Sequence, residues 1–324
     1  MRLILHIGAN KTGTSAIQNY MFRNRGHFLE LGLLWPQTGL AGVAHYGLAS
    51  WLGFSHELDR LGESELAKAR QGFREEVKQS GAEVVLVSCE NFMLDRDVGP
   101  VRAFFDGFEV EVIVVLRRHD GWWPSLWAQA IKMVADPPWG RSFESYYAFQ
   151  AGGSGQHLGF RRLIETWDAQ FPGAVRAIPY EQVQMPQGVV PAFLAQAGLE
   201  HASASLDESF LQDNVSPRID VLSLVDLLQR SNHVGPDRRS ALIAQALRCE
   251  GRGPLAGQFL SGRLLRRLSD AHQEDYSFLD ARFATVGTRF FQDPLIEDDG
   301  REGENTLPEV AAVELLINDL WLLP

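Results

Sequence analysis

Apolar residues fall into short unbroken runs separated by stretches with helical spacing. Arg2 to Ile7 is the first run, and it stops at Gly8-Ala9-Asn10-Lys11-Thr12-Gly13-Thr14-Ser15. Ile17, Tyr20, Met21 and Phe28 then recur at roughly the spacing of a helix face. The order is strand, small-residue turn, helix. Residues 37–56, with His45 and His56, read as a loop or broken helix. A polar helix is expected from about Glu63 to Ser80, with Leu66, Ala69, Phe73 and Val77 on its inner face. Val84–Val87 and the β-branched stretch Val110–Leu116 are continuous apolar runs, as central parallel strands covered on both faces require. Asp120 is the expected N-cap of the next helix, with Trp123, Trp127, Ala130, Ile131 and Val134 on one stripe. Residues 136–159, rich in Pro and Gly, read as a flexible lid. A helix near 160–170 and a strand over Val175–Ile178 lead to Tyr180-Glu181. From residue 190 the pattern is mainly helical, interrupted by an acidic loop around 297–306.

Strands alternating with helices predict a parallel α/β sheet flanked by helices, with binding at the strands' C-terminal ends. At 324 residues, with no repeat and no low-complexity linker, the expectation is one domain over 1–324. Its α/β core occupies 1–190 and a mainly helical part occupies 191–324.

Lys and Arg number 30 against 41 Asp and Glu, a net charge of −11 that argues against a general nucleic-acid binder. A local cluster of donors can still bind a small anion inside an acidic protein. Cys89 and Cys249 make neither a disulfide framework nor a metal spacing. No apolar run reaches the ~18 residues of a membrane span, and the N-terminal run is too short for a signal segment. A cytoplasmic location is the default expectation.

The turn after the first strand carries the first candidate chemistry. Unpaired N–H groups at the start of a helix form a positive site for phosphate or sulfate. Gly8 and Gly13 let the backbone approach an anion closely. Thr12, Thr14 and Ser15 add hydroxyls, and Lys11 adds a charge. A Walker A loop needs its lysine directly after the last glycine, whereas Lys11 precedes Gly13 by two. The match to an ATPase fails on that order, and no clear Walker B acid ends the later strands, although Glu90 keeps that question open.

His6-Ile7-Gly8-Ala9-Asn10-Lys11-Thr12-Gly13-Thr14-Ser15-Ala16-Ile17-Gln18 resembles the 5′-phosphosulfate loop of PAPS-dependent sulfotransferases, especially the bacterial, carbohydrate and heparan-type branch. PAPS is 3′-phosphoadenosine-5′-phosphosulfate. The resemblance implies a P-loop NTPase-like fold, PAPS as sulfuryl donor and PAP, its desulfated form, as product. It also implies an arginine ending a central strand, with a serine eight residues on. Arg117 and Ser125 occupy those places, and by similarity they bind the 3′-phosphate. A guanidinium fork suits phosphate oxygens, and ATP has no 3′-phosphate to fill such a site. Arg118 should point the opposite way from Arg117 in an extended segment. Tyr180-Glu181 resembles the family's Tyr-Glu-Asp-Leu step, whose tyrosine lies near the adenine, but Gln182-Val183 departs from it, so only Tyr180 carries over. Gln212-Asp213-Asn214-Val215-Ser216 also looks like bacterial members. The family's basic C-terminal donor loop has no clear counterpart; Arg252 and Arg263 are the guesses for it.

Sulfuryl transfer is an in-line displacement in which positioning and electrostatics should dominate, by analogy with phosphoryl transfer. Lys11 is the residue to stabilise the leaving oxygen, and no metal is expected. Glu90, at a strand's C-terminal end, resembles the catalytic glutamate of the heparan-type enzymes. His45 is the other candidate base, since a histidine serves the cytosolic small-molecule enzymes and is better matched in pKa. His119 is expected to support the donor site. Trp123 and Trp127 are assigned to the core, while Trp139, Tyr146 and Tyr147 could line an acceptor site. Family resemblance implies a carbohydrate or glycolipid acceptor. The alternatives are a nucleotide kinase or phosphotransferase using the same loop, or a non-catalytic anion-binding relative.

Overall fold

The computed structural model describes residues 1–55, 60–152, 159–200, 217–249, 251, 253–295, 297 and 305–309. His56, Gln212–Ser216, Arg252 and most of the expected acidic loop lie outside them. In chain order the chain first forms β1 (Arg2–His6), α1 (Thr14–Arg23), α2 (Arg25–Glu30), β2 (Leu33–Leu34), α3 (Tyr46–Trp51) and α4 (Glu63–Ser80). Then follow β3 (Val84–Ser88), α5 (Gly99–Phe104), β4 (Glu109–Leu116), α6 (His119–Met133), α7 (Phe143–Ala151) and α8 (Phe160–Gln170). The remainder comprises β5 (Val175–Pro179), α9 (Val189–Gln196), α10 (Ile219–Gln229), α11 (Pro236–Ala246), α12 (Ala256–Phe259), α13 (Gly262–Asp270) and α14 (Gln273–Phe283).

The chain divides into two compact units, and the first comprises Met1–Arg117, Gly155–Asp213 and Gln273–Asp293. It holds the five-stranded sheet in the order β2-β3-β1-β4-β5, with every pairing parallel. This is the expected parallel α/β fold. Both faces are buried, as the unbroken apolar strands require. On one face Ile4, Leu86, Ile113, Val115 and Ile178 pack with Ile17, Tyr20 and Met21 of α1 and Phe193 of α9. Leu3, Leu5, Val85, Val87, Val112 and Val114 alternate with them along the strands and are fully buried too.

β1 lies between β3 and β4, so the loop leaving it emerges at the centre of the sheet's C-terminal edge. Strand β2 is only Leu33–Leu34, too short for a periodicity to register. The stretch read as a loop or broken helix contains α3, a helix of six residues.

The second unit comprises Arg118–Ser154, Asn214–His272 and Pro294–Pro324. Helix α6 is its centre, packing against α7, α10, α12 and α13. Trp123 and Trp127 are buried along α6, as its stripe predicts, and so is Trp122 beside them. The helix begins at His119, one residue before the expected cap. Asp120 therefore sits inside the first turn, where both its oxygens accept from Arg118 at 2.8–3.0 Å. A carboxylate in the first turn is favoured by the helix dipole as well as by the arginine.

The stretch expected to be a lid holds α7, capped by the Ser142 hydroxyl accepting from the Ser145 N–H. Trp139 and Tyr146 are buried, with ring centroids 5.2 Å apart, and pack as core. Among the described residues, no helix is long and apolar enough to cross a membrane.

Asp226 of α10 is a buried acid of this unit, and two arginines hold it. Arg141 donates to it at 2.9 Å and Arg230 at 2.9 and 3.0 Å. Arg141 also reaches the Ser223 hydroxyl at 3.2 Å. Removing the acid leaves two part-buried guanidiniums facing each other without their shared acceptor. Asp226→Ala should cost about 3 kcal/mol in denaturant unfolding, the range for breaking a buried pair from one side.

Candidate active site

The loop between β1 and α1 is held by a few local contacts. Ala9 donates its N–H to Val115 O at 2.9 Å, and Val115 donates its own to Gly8 O at 2.7 Å. These bonds extend the β1–β4 pairing beyond the last strand residue. The Ala9 carbonyl accepts both the Thr12 hydroxyl at 2.6 Å and the Thr14 hydroxyl at 2.8 Å. Both hydroxyl protons are therefore engaged inside the loop, and Ser15 has the exposed hydroxyl of the three. Gly13 precedes α1 in the left-handed region, with φ 80°. The first helical bonds run from Ala16 and Ile17 back to Gly13 O, at 2.9 and 3.2 Å. The N–H groups of Gly13, Thr14 and Ser15 thus precede the helical ladder, at the positive end of its dipole. Lys11 is part-buried in the middle of the loop, itself at φ 63°.

Two glycines set what this loop touches. Gly8 has φ 108°, and a Cβ there would lie 3.2 Å from Glu90 Cα and 3.3 Å from Glu90 Cβ. A Cβ on Gly13 would lie 2.5 Å from Val189 Cγ1 and 3.4 Å from the Tyr180 ring. One end of the loop therefore packs on Glu90 and the other on Tyr180. Tyr180 follows β5, and its N–H donates to Leu116 O at 2.6 Å, continuing the β4–β5 pairing. The Arg117 guanidinium lies 5.4 Å from the Tyr180 ring centre. Lys11, Gly13, Glu90, Arg117 and Tyr180 all belong to the first unit. Ser125 is part-buried on α6 of the second unit, and Arg263 is exposed on α13.

Glu90 opens a 3-10 turn after β3. Its carboxylate accepts the Tyr46 hydroxyl at 2.5 Å on one oxygen and the Gln18 amide at 2.8 Å on the other. Burial and the adjoining carboxylate push the Tyr46 phenol up, so Tyr46 stays a donor. Gln18 also reaches the Ser88 hydroxyl at 3.3 Å, which meets His6 Nδ1 at 2.8 Å. Neither Tyr46 nor Gln18 stands out in the sequence as chemistry. The 3.6-residue period places Gln18 beside Ile17 on α1, and only the sheet order brings it over β3.

His45 is fully buried with its ring against Trp35, centroids 4.8 Å apart. Its Nδ1 accepts the Ser88 N–H at 3.1 Å, and its Nε2–H donates to Pro36 O at 3.0 Å. The backbone N–H of His45 donates to Ser88 O at 2.9 Å. Nδ1 and the backbone N–H thus pin the start of α3 against the end of β3, while Nε2 ties it to Pro36. That attachment is what carries Tyr46, the next residue, to Glu90. Cys89 is buried, and its thiol is pushed up by burial and then by Glu90, which removes it as a nucleophile. Glu181, beside Tyr180, accepts N–H groups of Gln292 at 2.6 Å and Asp293 at 3.1 Å. It ties a distant segment to the end of β5.

No family model and no curated protein matches the chain. Among solved structures, it is similar to a sulfotransferase from Alicyclobacillus acidocaldarius, at 14% identity and a TM-score of 0.41. That likeness covers 75% of this chain and 96% of the other.

Burial pushes the His45 imidazole down to about 4 and the His6 imidazole to about 3, from 6.5 in both cases. The unfolded chain therefore binds protons that the folded protein excludes. Stability from this source is complete above pH 6.5 and is lost as the pH falls toward 4 and below. The melting temperature should drop on acidification over that window. His45→Gln should flatten the dependence by close to one proton, read from the slope of unfolding free energy against pH.

Proposed function

We propose that the chain is a sulfotransferase that moves a sulfuryl group from PAPS to a hydroxyl or amine acceptor. The observation that carries the reading is a convergence on one loop. Gly8 packs on Glu90, while Gly13 packs on Tyr180, whose ring lies beside Arg117. Four candidates recognised from separate stretches of sequence thus meet at the C-terminal edge of a parallel sheet, where such folds bind ligands.

In this reading the N–H groups of Gly13, Thr14 and Ser15 hold the donor's 5′-phosphate, and Thr12 and Thr14 shape the loop that presents them. Arg117 takes the 3′-phosphate. Tyr180 lies toward the adenine. Glu90 removes the acceptor's proton as the acceptor's oxygen or nitrogen bonds to sulfur and the bond from sulfur to the 5′-phosphate oxygen breaks. Lys11 stabilises the charge that develops on that leaving oxygen, the kind of preorganised electrostatic contribution that dominates such transfers. We assign the base to Glu90 rather than His45. The ring nitrogens of His45 are both engaged by backbone groups, whereas the Glu90 carboxylate is part-buried and reached by side chains alone. The acceptor class by resemblance is a carbohydrate or glycolipid.

Calorimetry with PAP and with ADP, with and without magnesium, tests the donor site. PAP should bind much more tightly than metal-free ADP, and Arg117→Ala should erase the difference, a loss of roughly tenfold to a hundredfold. Magnesium-dependent ADP binding as tight as PAP would overturn the reading in favour of a phosphotransferase. In transfer assays with labelled PAPS, Glu90→Gln should retain PAP binding and lose about 10²–10⁴-fold in rate. Lys11→Ala should lose about 10²–10³-fold.

A further inference from the structure

A cavity of about 610 Å³ opens beside α3, within the first unit. Its lining includes Tyr46, Ser50, Trp51, Ser55, Arg60 and Asn91. The helix explains why these residues share a face. Leu48 and Ala49 are buried in the core, so Tyr46, Ser50 and Trp51, at positions i, i+4 and i+5, lie on the other side. Two of the lining residues reach the candidate base. Tyr46 donates to the Glu90 carboxylate at 2.5 Å, and Asn91 follows Glu90 directly in the 3-10 turn. The cavity therefore borders two residues that adjoin the candidate base, one by a hydrogen bond and one along the chain.

The chemistry of the lining is selective. Ser50, Ser55 and Asn91 offer hydrogen-bonding groups, and part-buried Trp51 offers an apolar ring. Arg60 carries the one formal charge among the described lining residues, in a chain whose net charge is −11. Its stem passes over Gly53, beyond the C-terminal end of α3, with its Cδ 3.8 Å from where a Gly53 Cβ would be. Tyr46 and Glu90 sit at the opposite, N-terminal end. Six helical residues put roughly 9 Å between the two ends at 1.5 Å per residue. An anionic group on the acceptor can therefore pair with Arg60 without facing the Glu90 carboxylate.

We propose that this cavity is the acceptor site and that it selects a hydroxyl-bearing carboxylate, such as a sugar acid, with the carboxylate on Arg60 and the reacting hydroxyl toward Glu90. The assignment rests on the sulfotransferase reading for the meaning of acceptor, but not for the binding itself. A guanidinium fork matches a carboxylate with two parallel hydrogen bonds, which fixes the ligand's direction as well as holding it.

The test uses two probes that differ only in the carboxylate, methyl glucuronide and methyl glucoside, titrated into the full chain by NMR with and without PAP. The glucuronide should bind about tenfold more tightly or better. Arg60→Gln should remove that preference while leaving PAP binding intact, and Trp51→Ala should weaken both glycosides. Equal binding of the two, or binding of neither, would overturn the proposal. So would a glucuronide preference that survives Arg60→Gln. Failure of PAP to bind would count against the donor reading instead, and the titrations without PAP would still decide what the cavity recognises.

Discussion

Gly8 approaches the backbone of Glu90 closely, and the geometry of the candidate site follows from that contact. A side chain at position 8 would meet Glu90 Cα and Cβ at 3.2 and 3.3 Å, and φ 108° is a conformation that residues with a Cβ rarely adopt. Because β1 lies directly between β3 and β4, its outgoing loop must pass over the end of one neighbour or the other. The bonds from Ala9 to Val115 O and from Val115 to Gly8 O tie the loop to β4. Gly8 lets the same loop lie against β3's end as well. The loop is thereby wedged between two strand ends, and its far side reaches Tyr180 beyond β5 through Gly13.

Beneath that wedge is a polar network built in the apolar interior. Burial of two imidazoles and a serine is costly unless the groups are paired. His45 meets the requirement with three hydrogen bonds to backbone, counting its own N–H. His6 uses Nδ1 on Ser88, while its Nε2 is buried without a hydrogen-bond partner and its ring lies 4.9 Å from Phe193. The network holds Ser88, and through Ser88 and Gln18 it holds Glu90 from below. Tyr46 holds it from the side. A carboxylate held on both oxygens has little orientational freedom left to lose, which is what the proposed role of Glu90 as base requires.

Much of this was legible in the sequence, and the parts that were not share a cause. Val84–Val87, Val110–Leu116 and Val175–Ile178 announce themselves because strands buried on both faces need unbroken apolar runs, and the structure places β3, β4 and β5 there. The small-residue turn after Arg2–Ile7 is legible because few contexts need two glycines around a lysine. Strand β2 escapes because two residues have no period. Asp120 misleads because a cap and a first-turn acid look alike in sequence; the Arg118 pair decides it. Residues 136–159 read as a lid through their prolines and glycines, but Phe143 and Tyr146 bury themselves in α7. Tyr46 and Gln18 were invisible as site residues because they act only through pairings that the sheet order creates, 44 and 72 positions away in the chain.

The two adjacent arginines show why net charge says little about a single cleft. At −11 the chain as a whole repels anions, yet what a bound phosphate meets is set within a few ångströms. Arg118 points into the second unit, where Asp120 neutralises it with a two-oxygen pair and Pro294 O takes a further bond at 2.9 Å. Arg117, one residue earlier, lies against the ring of Tyr180 instead. An aromatic face attracts a guanidinium without cancelling its charge. The alternation of an extended segment sends neighbouring side chains to opposite sides, so the two arginines enter different surroundings. Beside the loop, the partial charges of the helix N-terminus and Lys11 have the same sign as Arg117. Local sign, rather than total charge, decides whether the C-terminal edge of this sheet can hold an anion.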